Sequence, residues 1–420
     1  MTTAEPPASL RVLQISDLYP PTLGGLELQV QLLSRELARR GHEVTVATGL
    51  LPSTDRFEVD SGVKIHRIEG WSRLLRPSYK RADRPFQPPV PDPGIVRALR
   101  CIIRESRPHV VHAHGWMLAS FLPLKRASAA KVVVWLHDYT LLCPKTTYLH
   151  DGQPCSGPRL GKCVVCAAEQ YGTPRAAALS VGLSGLRSRY HKVDRFVANS
   201  PIVGREFATA LGMNADDIEV VTPSLPAEAF SGKRVARPSF VPSDDYVLFV
   251  GALGPHKGVD VLLRAYADLR DAPPLVMLGT RRADTPNSIP AGVSVIENVP
   301  HEQVLAASSH ALFGVIPSTV REAFGLTALE AMAAGRAVVA SSIGGLPDLV
   351  EDGVTGILVA PGDVDGLRHA IDRLVRHPDE REKLGRAARQ RALQYTPDRL
   401  VSRMERIYRS VLGAEEPSHD

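Results

Sequence analysis

Short apolar runs recur along this chain, each followed by a loop rich in Gly or Pro and then by a stretch of helical period. Arg11–Ser16 (RVLQIS) runs into Asp17-Leu-Tyr-Pro-Pro-Thr-Leu-Gly24-Gly25. Leu26, Val30, Leu33 and Leu37 then line one side of a helix reaching Arg40, Gly41 ends it, and Glu43–Thr48 forms the next strand. This is the βαβ opening of an open α/β sheet, in which ligands collect at the carboxyl ends of the strands. The pattern continues through strands Val63–Ile68, Val110–Ala113, Lys131–Leu136, Arg195–Ala198 and Ile218–Val221. Residues 226–244 carry no periodicity and much Pro, Ser and charge, as a linker does. A second series follows, with strands Tyr246–Gly251, Leu275–Leu278, Val293–Ile296, Leu312–Ile316, Ala337–Ser341 and Gly356–Val359. The expected organisation is an α/β domain over 1–225, a linker over 226–244, a second α/β domain over 245–395, and a C-terminal helix and tail over 396–420.

Several strand ends carry residues suited to chemistry. After Leu312–Ile316 comes Arg321-Glu-Ala-Phe-Gly-Leu-Thr-Ala-Leu-Glu-Ala-Met-Ala-Ala-Gly-Arg336. A helix beginning near Gly325 or Leu326 would place Leu326, Leu329, Glu330 and Ala333 on one face and leave the Phe324, Gly325 and Leu326 amides at its positive end, a ready anion site. Glu322 stands at the mouth of that site and Glu330 lies further along the helix, an arrangement suited to a phosphate flanked by hydroxylated rings, as in a nucleotide-sugar. The ordinary alternative is a helix that merely begins with an acidic residue. His112-Ala-His114 and His137-Asp138 also fall at strand carboxyl ends, where a histidine is functional or structural. Gly24-Gly25 is either a ligand-approach loop or a plain turn, and no GxGxxG fingerprint is present.

Composition narrows the classes. With 44% hydrophobic and 23% charged residues, the chain is an ordinary globular one. No apolar run approaches the ~20 residues that span a bilayer, and the first ten residues lack a signal pattern, so the cytoplasm is the expected location. Residues 1–200 carry 27 Lys/Arg against 16 Asp/Glu and residues 201–420 carry 23 against 29, together the net +5. A basic half fits an anionic substrate, an acidic membrane surface or nucleic acid, or is simply a solvated surface. Residues 71–93 are irregular, Pro-rich and basic, with Trp71, Tyr79 and Phe86 interleaved. They read as an acceptor- or membrane-facing loop or as disorder.

Four of the five cysteines lie within one loop expected over 143–166: Cys143, Cys155, Cys163 and Cys166. A disulfide framework is disfavoured in a cytoplasmic protein, and Cys163-x2-Cys166 has the spacing of a chelating knuckle. A structural zinc site is therefore the expected reading, with an iron–sulfur cluster, redox-active thiols and plain reduced cysteines as alternatives. Four thiolates would leave no open position for catalysis.

This ordering resembles the retaining glycosyltransferases of family 4 over nearly the whole chain, roughly residues 10–412. The motifs are Pro21-x2-Gly24-Gly25-x-Glu27, His137, Gly251-x5-Lys257-Gly258, Glu322-x7-Glu330 with Phe324-Gly325-Leu326, Ala334-Gly335-x-Ala337, and Gly344-Gly345-Leu-Pro347-Asp348. The resemblance implies a GT-B fold of two facing Rossmann-like domains, with the C-terminal helix crossing back to the first. It implies hexose transfer from a GDP- or UDP-linked donor, mannose or glucose being typical, with retention of anomeric configuration and without a catalytic divalent metal. The acceptor would be a saccharide, a lipid-linked saccharide or a small molecule, as in polysaccharide or glycolipid synthesis; no nucleic-acid partner is implied, and peripheral contact with an acidic membrane fits the basic half. By the same resemblance Glu322 binds donor-sugar hydroxyls, Glu330 the ribose, and the Phe324, Gly325 and Leu326 amides the diphosphate. Lys257 pairs with the departing diphosphate, His137 meets the donor sugar from across the cleft, and Gly24-Gly25 lets the first domain approach. A non-catalytic nucleotide-sugar-binding module and a GT-B epimerase are the alternatives. One departure stands out: the family has Arg where this chain has Ala252, and Arg281 or Arg282 would have to supply the missing charge.

Overall fold

The computed structural model describes residues 7–22, 24–52, 54–78, 87–232, 235–282, 284–286 and 288–414. Tyr79 and Phe86 of the loop expected over 71–93 lie outside them. The chain divides into two compact units, Met1–Thr222 with Pro397–Asp420, and Pro223–Thr396.

The first unit is built on strands β1 (Arg11–Ser16), β2 (Glu43–Gly49), β3 (Phe57–Asp60), β4 (Val63–Ile68), β5 (Val110–His114) and β6 (Lys131–Leu136). A small hairpin of β7 (Leu149–His150) and β8 (Gln153–Pro154) stands apart, and β9 (Arg195–Ala198) and β10 (Ile218–Val220) complete the sheet. The order is β10-β9-β6-β5-β1-β2-β4-β3, parallel throughout except for β3. Parallel strands need crossovers, here α1 (Gly25–Arg39), α2 (Pro93–Ser106), the short turns α3 (Leu118–Phe121) and α4 (Lys125–Ser128), α5 (Leu160–Tyr171), α6 (Thr173–Arg187) and α7 (Pro201–Leu211). Pro93 opens α2 and the Asp92 carboxylate accepts from the Gly94 and Ile95 amides, a proline-led start with an acidic cap. The same carboxylate accepts from the Trp71 and Ser72 amides, which pins the 3₁₀ turn Trp71–Ser78 to that helix start.

The second unit runs β11 (Val247–Val250), α8 (Val259–Ala267), β12 (Leu275–Leu278), β13 (Val293–Ile296), α9 (His301–His310), β14 (Phe313–Ile316), α10 (Leu326–Ala333), β15 (Ala337–Ser341), α11 (Leu346–Leu349) and β16 (Gly356–Val359). It ends in α12 (Val364–Arg376) and α13 (Pro378–Ala392). Its six-stranded sheet is wholly parallel, in the order β13-β12-β11-β14-β15-β16. β11, β12 and β14 are apolar along their length because helices cover both faces.

The last helix, α14 (Pro397–Val411), belongs to the first unit. Leu400, Val401, Met404, Ile407 and Tyr408 are buried against Val30, Leu33, Val133 and Trp135. Arg40 seals its edge with ion pairs to Asp398 and Glu405, and His42 Nε2 lies 2.6 Å from Glu405. Among the described residues no helix is long and apolar enough to cross a membrane.

The segment expected as a loop over 143–166 is only partly one. Cys163 and Cys166 sit on α5, whose Cys163 and Ala167 are buried and which packs on α6. The glycines and prolines end at Gly161; in the run Lys162-Cys-Val-Val-Cys-Ala-Ala that follows only Lys and Ala are strong helix formers, and packing against α6 supports the helix.

Three imidazoles are buried on one face of the first sheet: His112, His114 and His137. Burial penalises their charged forms, holding His112 and His114 well below 6.5 and His137 down to about 3. Each is neutral in the native state and takes up a proton in the unfolded chain below about 6.5. Their contribution to stability is therefore complete above that pH and is lost as pH falls toward about 3, with a slope of up to about 4 kcal/mol per pH unit for three imidazoles. Asp17 of the same unit, which burial pushes up to about 7 and which is protonated in the native state over this range, offsets about 1.4 kcal/mol per pH unit of that slope. Calorimetry between pH 7.5 and 5 should show the unfolding midpoint of the unit that contains them falling with acid; a flat midpoint would contradict their neutral burial.

Candidate active site

Strand order locates the second unit's site. Its sheet reverses direction of growth between β11 and β14, and the loops after these neighbours leave on opposite sides, opening the crevice where α/β sheets bind ligands. The β11 loop carries Lys257 and the β14 loop carries Glu322. Gly258 lets them meet: it has φ 70°, and a Cβ there would sit 1.8 Å from the Pro317 carbonyl oxygen. Thr319 joins the loops further, its amide donating to His256 O (3.2 Å) and its hydroxyl to Pro255 O (2.7 Å).

At their meeting point Lys257 Nζ and Ser318 Oγ both lie 2.5 Å from Glu322 Oε1. Burial would raise the Glu322 carboxyl, but the Lys257 charge and the bonds from Lys257 and Ser318 outweigh it and hold the group below its usual range. Glu322 is thus a carboxylate at neutral pH, able to accept from hydroxyls. Gly345 N donates to Glu322 O at 2.8 Å, and a Cβ at Gly344 would fall 2.2 Å from that oxygen, so the Gly344-Gly345 turn is a backbone buttress beneath Glu322.

α10 begins at Leu326, as expected, with Gly325 in the left-handed region at φ 106° as its N-cap. A Cβ at Gly325 would meet Leu346 at 2.6 Å. Phe324 is buried edge-on against Tyr395, ring centroids 5.5 Å apart, which anchors the turn. The first-turn amides carry the positive end of the helix. Glu330, 6% exposed, faces His301: Nε2 of the imidazole lies 2.8 Å from Oε1. Burial alone would lower His301, yet its bond to Glu330 and the carboxylate charge raise it above its ordinary value. Glu330 Oε2 is buried with no hydrogen-bond partner among the described residues, a lone acceptor.

The two arginines after β12 differ in position. Arg281 pairs with Glu297 through Nε at 3.3 Å and through its amide at 3.1 Å. Arg282 instead packs over the Lys257 loop: a Cβ at Gly254 would lie 3.1 Å from Arg282 Cδ and 2.9 Å from His256 Nδ1. Burial lowers His256, and the Arg282 and Lys257 charges lower it further. The one Asp-x-Asp in the chain, Asp363-Val-Asp365, opens α12, where Asp363 accepts from the Gly366 amide.

In the first unit the corresponding reversal lies between β1 and β5. Gly24 is the N-cap of α1, and a Cβ on it would meet the Glu27 carboxylate at 2.3 Å. His137 follows β6, its ring tilted 33° against Trp135 with centroids 4.6 Å apart, and Asn199 Nδ2 holds its carbonyl at 2.9 Å. Asp17 accepts from the Trp116 and Met117 amides at 2.7 and 2.6 Å; even so, burial pushes its carboxyl up to about 7, with Asp138 and Glu27 adding to the rise. Ser318, His256, His301 and Asp17 carry no motif signal of their own; only their strand-end positions could have suggested them.

Cys143, Cys155, Cys163 and Cys166, like Cys101, are free thiols. Cys143 is buried, with Cys155 and Cys163 near enough to raise its pKa beyond the effect of burial. Lys162 Nζ lies 3.2 Å from Cys155 Sγ and Lys145 Nζ 3.7 Å from Cys166 Sγ, and these two sulfurs also face the Gly157 and Leu149 carbonyls. Among the described residues no group of three or more His, Cys, Asp or Glu is placed to hold a metal ion.

Comparison with known proteins agrees with the geometry. Residues 23–228 match the model of Glycosyltransferase Family 4, and residues 234–391 that of Glycosyl transferases group 1. The chain is 28% identical to glycogen synthase of Mycobacterium tuberculosis, covering 91% of this chain and 90% of that protein. It is 27% identical to D-inositol 3-phosphate glycosyltransferase of Corynebacterium diphtheriae, covering 92% and 89%. Sucrose-phosphate synthase of Thermosynechococcus elongatus shares the fold with a TM-score of 0.74 at 20% identity, over 96% of this chain and all of that one. Anabaena HepE, solved with UDP-glucose, does so with a TM-score of 0.65 at 16% identity, over 95% and 99%. With a family 4 domain followed by a group 1 domain, each on its own Rossmann-like parallel sheet, the chain is a glycosyltransferase of the GT-B type.

Proposed function

We propose that the protein transfers a hexose, mannose or glucose, from a GDP- or UDP-linked donor to a saccharide, lipid-linked or small-molecule acceptor, with retention of configuration. The observation that carries the reading is the Lys257–Ser318–Glu322 cluster beside the amide-bearing start of α10. It puts an ammonium, a hydroxyl-binding carboxylate and an anion-binding helix end within one loop pair of the second unit. Glu322 accepts hydroxyls of the donor sugar, and the Phe324, Gly325 and Leu326 amides hold the diphosphate. Lys257, paired with Glu322 in the free protein, turns to the phosphate as charge develops there. The unpartnered Glu330 Oε2 supports the ribose-binding role. His137 of the first unit meets the donor sugar and Gly24-Gly25 permits close approach. HepE binds UDP-glucose and starch synthase IV of Arabidopsis binds ADP, which supports a nucleotide-linked donor.

Arg282 is our candidate for the charge absent at Ala252: each arginine has a carboxylate partner, Asp284 for Arg282 at 3.4 Å and Glu297 for Arg281 at 3.3 Å, but Arg282 is the one that packs over the Lys257 loop. With Lys257, Arg282 and the helix-start amides supplying positive charge, we infer that no divalent metal is required. The exposed Trp71 and Leu74 on the turn pinned by Asp92, in a basic stretch, support peripheral contact with an acidic membrane carrying the acceptor.

Glu322→Gln should lower kcat by about 10²–10³-fold, the cost of losing one preorganised polar contact, with the unfolding midpoint little changed. Wild-type transfer should persist in EDTA; full activity in Glu322→Gln would remove the assignment. Arg282→Ala should weaken nucleoside diphosphate binding by about ten- to hundredfold in calorimetry, as expected for one charge-assisted hydrogen bond, whereas Arg281→Ala should change it little. Equal effects of the two would refute the role given to Arg282. Vesicles of phosphatidylglycerol should pellet the wild-type protein at low salt, less so Trp71→Ala/Leu74→Ala, and none at high salt; no pelleting at low salt would exclude the membrane contact.

A further inference from the structure

The first unit contains a hydrogen-bonded row leading to His137 that the sugar-transfer reading leaves unused. In the sheet, Gln14 of β1 pairs with His112 of β5, Ser16 with His114, and His112 with Val133 of β6. Side chains alternate along a strand. Gln14, His112, His114 and Trp135 therefore share one face with His137, the face that α14 covers through Tyr408.

His114 is the bridge. Its Nε2 lies 2.6 Å from Gln14 Oε1, and its Nδ1 lies 2.8 Å from His137 Nε2. All three side chains are buried, with Gln14 and His114 at 0% and 1% exposure. A neutral imidazole has one donor and one acceptor nitrogen. An amide oxygen can only accept, so with Gln14 oriented Oε1 toward the ring and Nε2 unpartnered among the described residues, His114 carries its proton on Nε2 and offers a lone pair at Nδ1. A 2.8 Å contact with that lone pair requires a donor, and the only candidate is a proton on His137 Nε2. His137 is then left with an unprotonated Nδ1.

We propose that Gln14 and His114 are positioning residues that hold His137 in its Nε2–H tautomer, so that Nδ1 serves as the ring's hydrogen-bond acceptor toward a hydroxyl of the donor sugar. The proposal rests on the reading that His137 meets that sugar. It assigns a reason for a buried amide and a buried histidine on adjacent strands beneath a third ring. Asn199 holds the His137 carbonyl and Trp135 its ring face, so the relay sets the one property those contacts leave open, the place of the proton.

The test reads the proton directly. In the full-length protein labelled with ¹⁵N-histidine, assigned by loss of signal in His137→Asn, the His137 ring should show a protonated Nε2 and a pyridine-type Nδ1 in the absence of substrate. Gln14→Leu, which removes the acceptor, should mix the two tautomers and lower kcat by about tenfold with donor KM changed by less than about twofold. Gln14→Glu, which restores an acceptor oxygen, should recover both the signal and most of kcat. A protonated Nδ1 in the wild-type protein would overturn the proposal, and needs no variant to fold. A single tautomer and unchanged kcat in Gln14→Leu would also overturn it. Full transfer by His137→Ala with the predicted wild-type ring signal would refute the donor-contact reading while leaving the relay standing.

Discussion

Lys257 and Glu322 stand 65 residues apart in the chain and 2.5 Å apart in the structure. Bringing an ammonium and a carboxylate together in a partly buried place costs solvation, and the pair tolerates it because Ser318 adds a hydroxyl to the same oxygen. The contact exists only because two loops leave neighbouring strands at the point where the sheet's order reverses. It further requires Gly258 to press against the Pro317 carbonyl and Gly344 against the Glu322 backbone, positions at which any side chain would collide. The ion pair, the helix-start amides and the glycine contacts are thus one device. A carboxylate is kept charged beside the positive end of α10, with an ammonium as its partner.

The first unit solves a different problem, that of keeping uncharged polar groups in order under a hydrophobic lid. α14 supplies the lid from the far end of the chain, burying an apolar stripe against Val30, Leu33, Val133 and Trp135. Beneath it His112 Nδ1 reaches the Tyr408 hydroxyl at 2.8 Å, and His114 links Gln14 to His137. A low-dielectric setting makes each such bond count for more, while Gln14 Nε2 and His112 Nε2 are buried with no hydrogen-bond partner among the described residues. The same burial that neutralises the histidines makes them directional, since a neutral ring must choose one donor and one acceptor.

The α/β architecture, the start of α10 and the membership of Glu322, Glu330 and Lys257 in strand-end loops could be read from the chain, because periodicity, glycine position and helix dipoles are local properties. The cysteine segment shows the limit of such reading. Proline and glycine density correctly marked turns before Gly161, but the helix that carries Cys163 and Cys166 depends on packing against α6. Spacing suggested that these cysteines act together, but not that the sulfurs of Cys155 and Cys166 would face lysines and backbone carbonyls. Likewise, nothing in Arg281-Arg282 distinguishes the two until Glu297 pairs with the first and Asp284 with the second, which packs over the Lys257 loop.

By itself, then, the sequence determined the two α/β series and the residues offered at each strand end, since strand and helix periods and turn chemistry act over a few neighbours. Tertiary structure decided which of those residues meet. It paired Lys257 with Glu322, gave Glu330 its His301, returned α14 to the first unit, and threaded Gln14, His114 and His137 into one row. Those outcomes depend on strand order and close backbone approach, which join positions tens to hundreds of residues apart and leave no periodic trace in the chain.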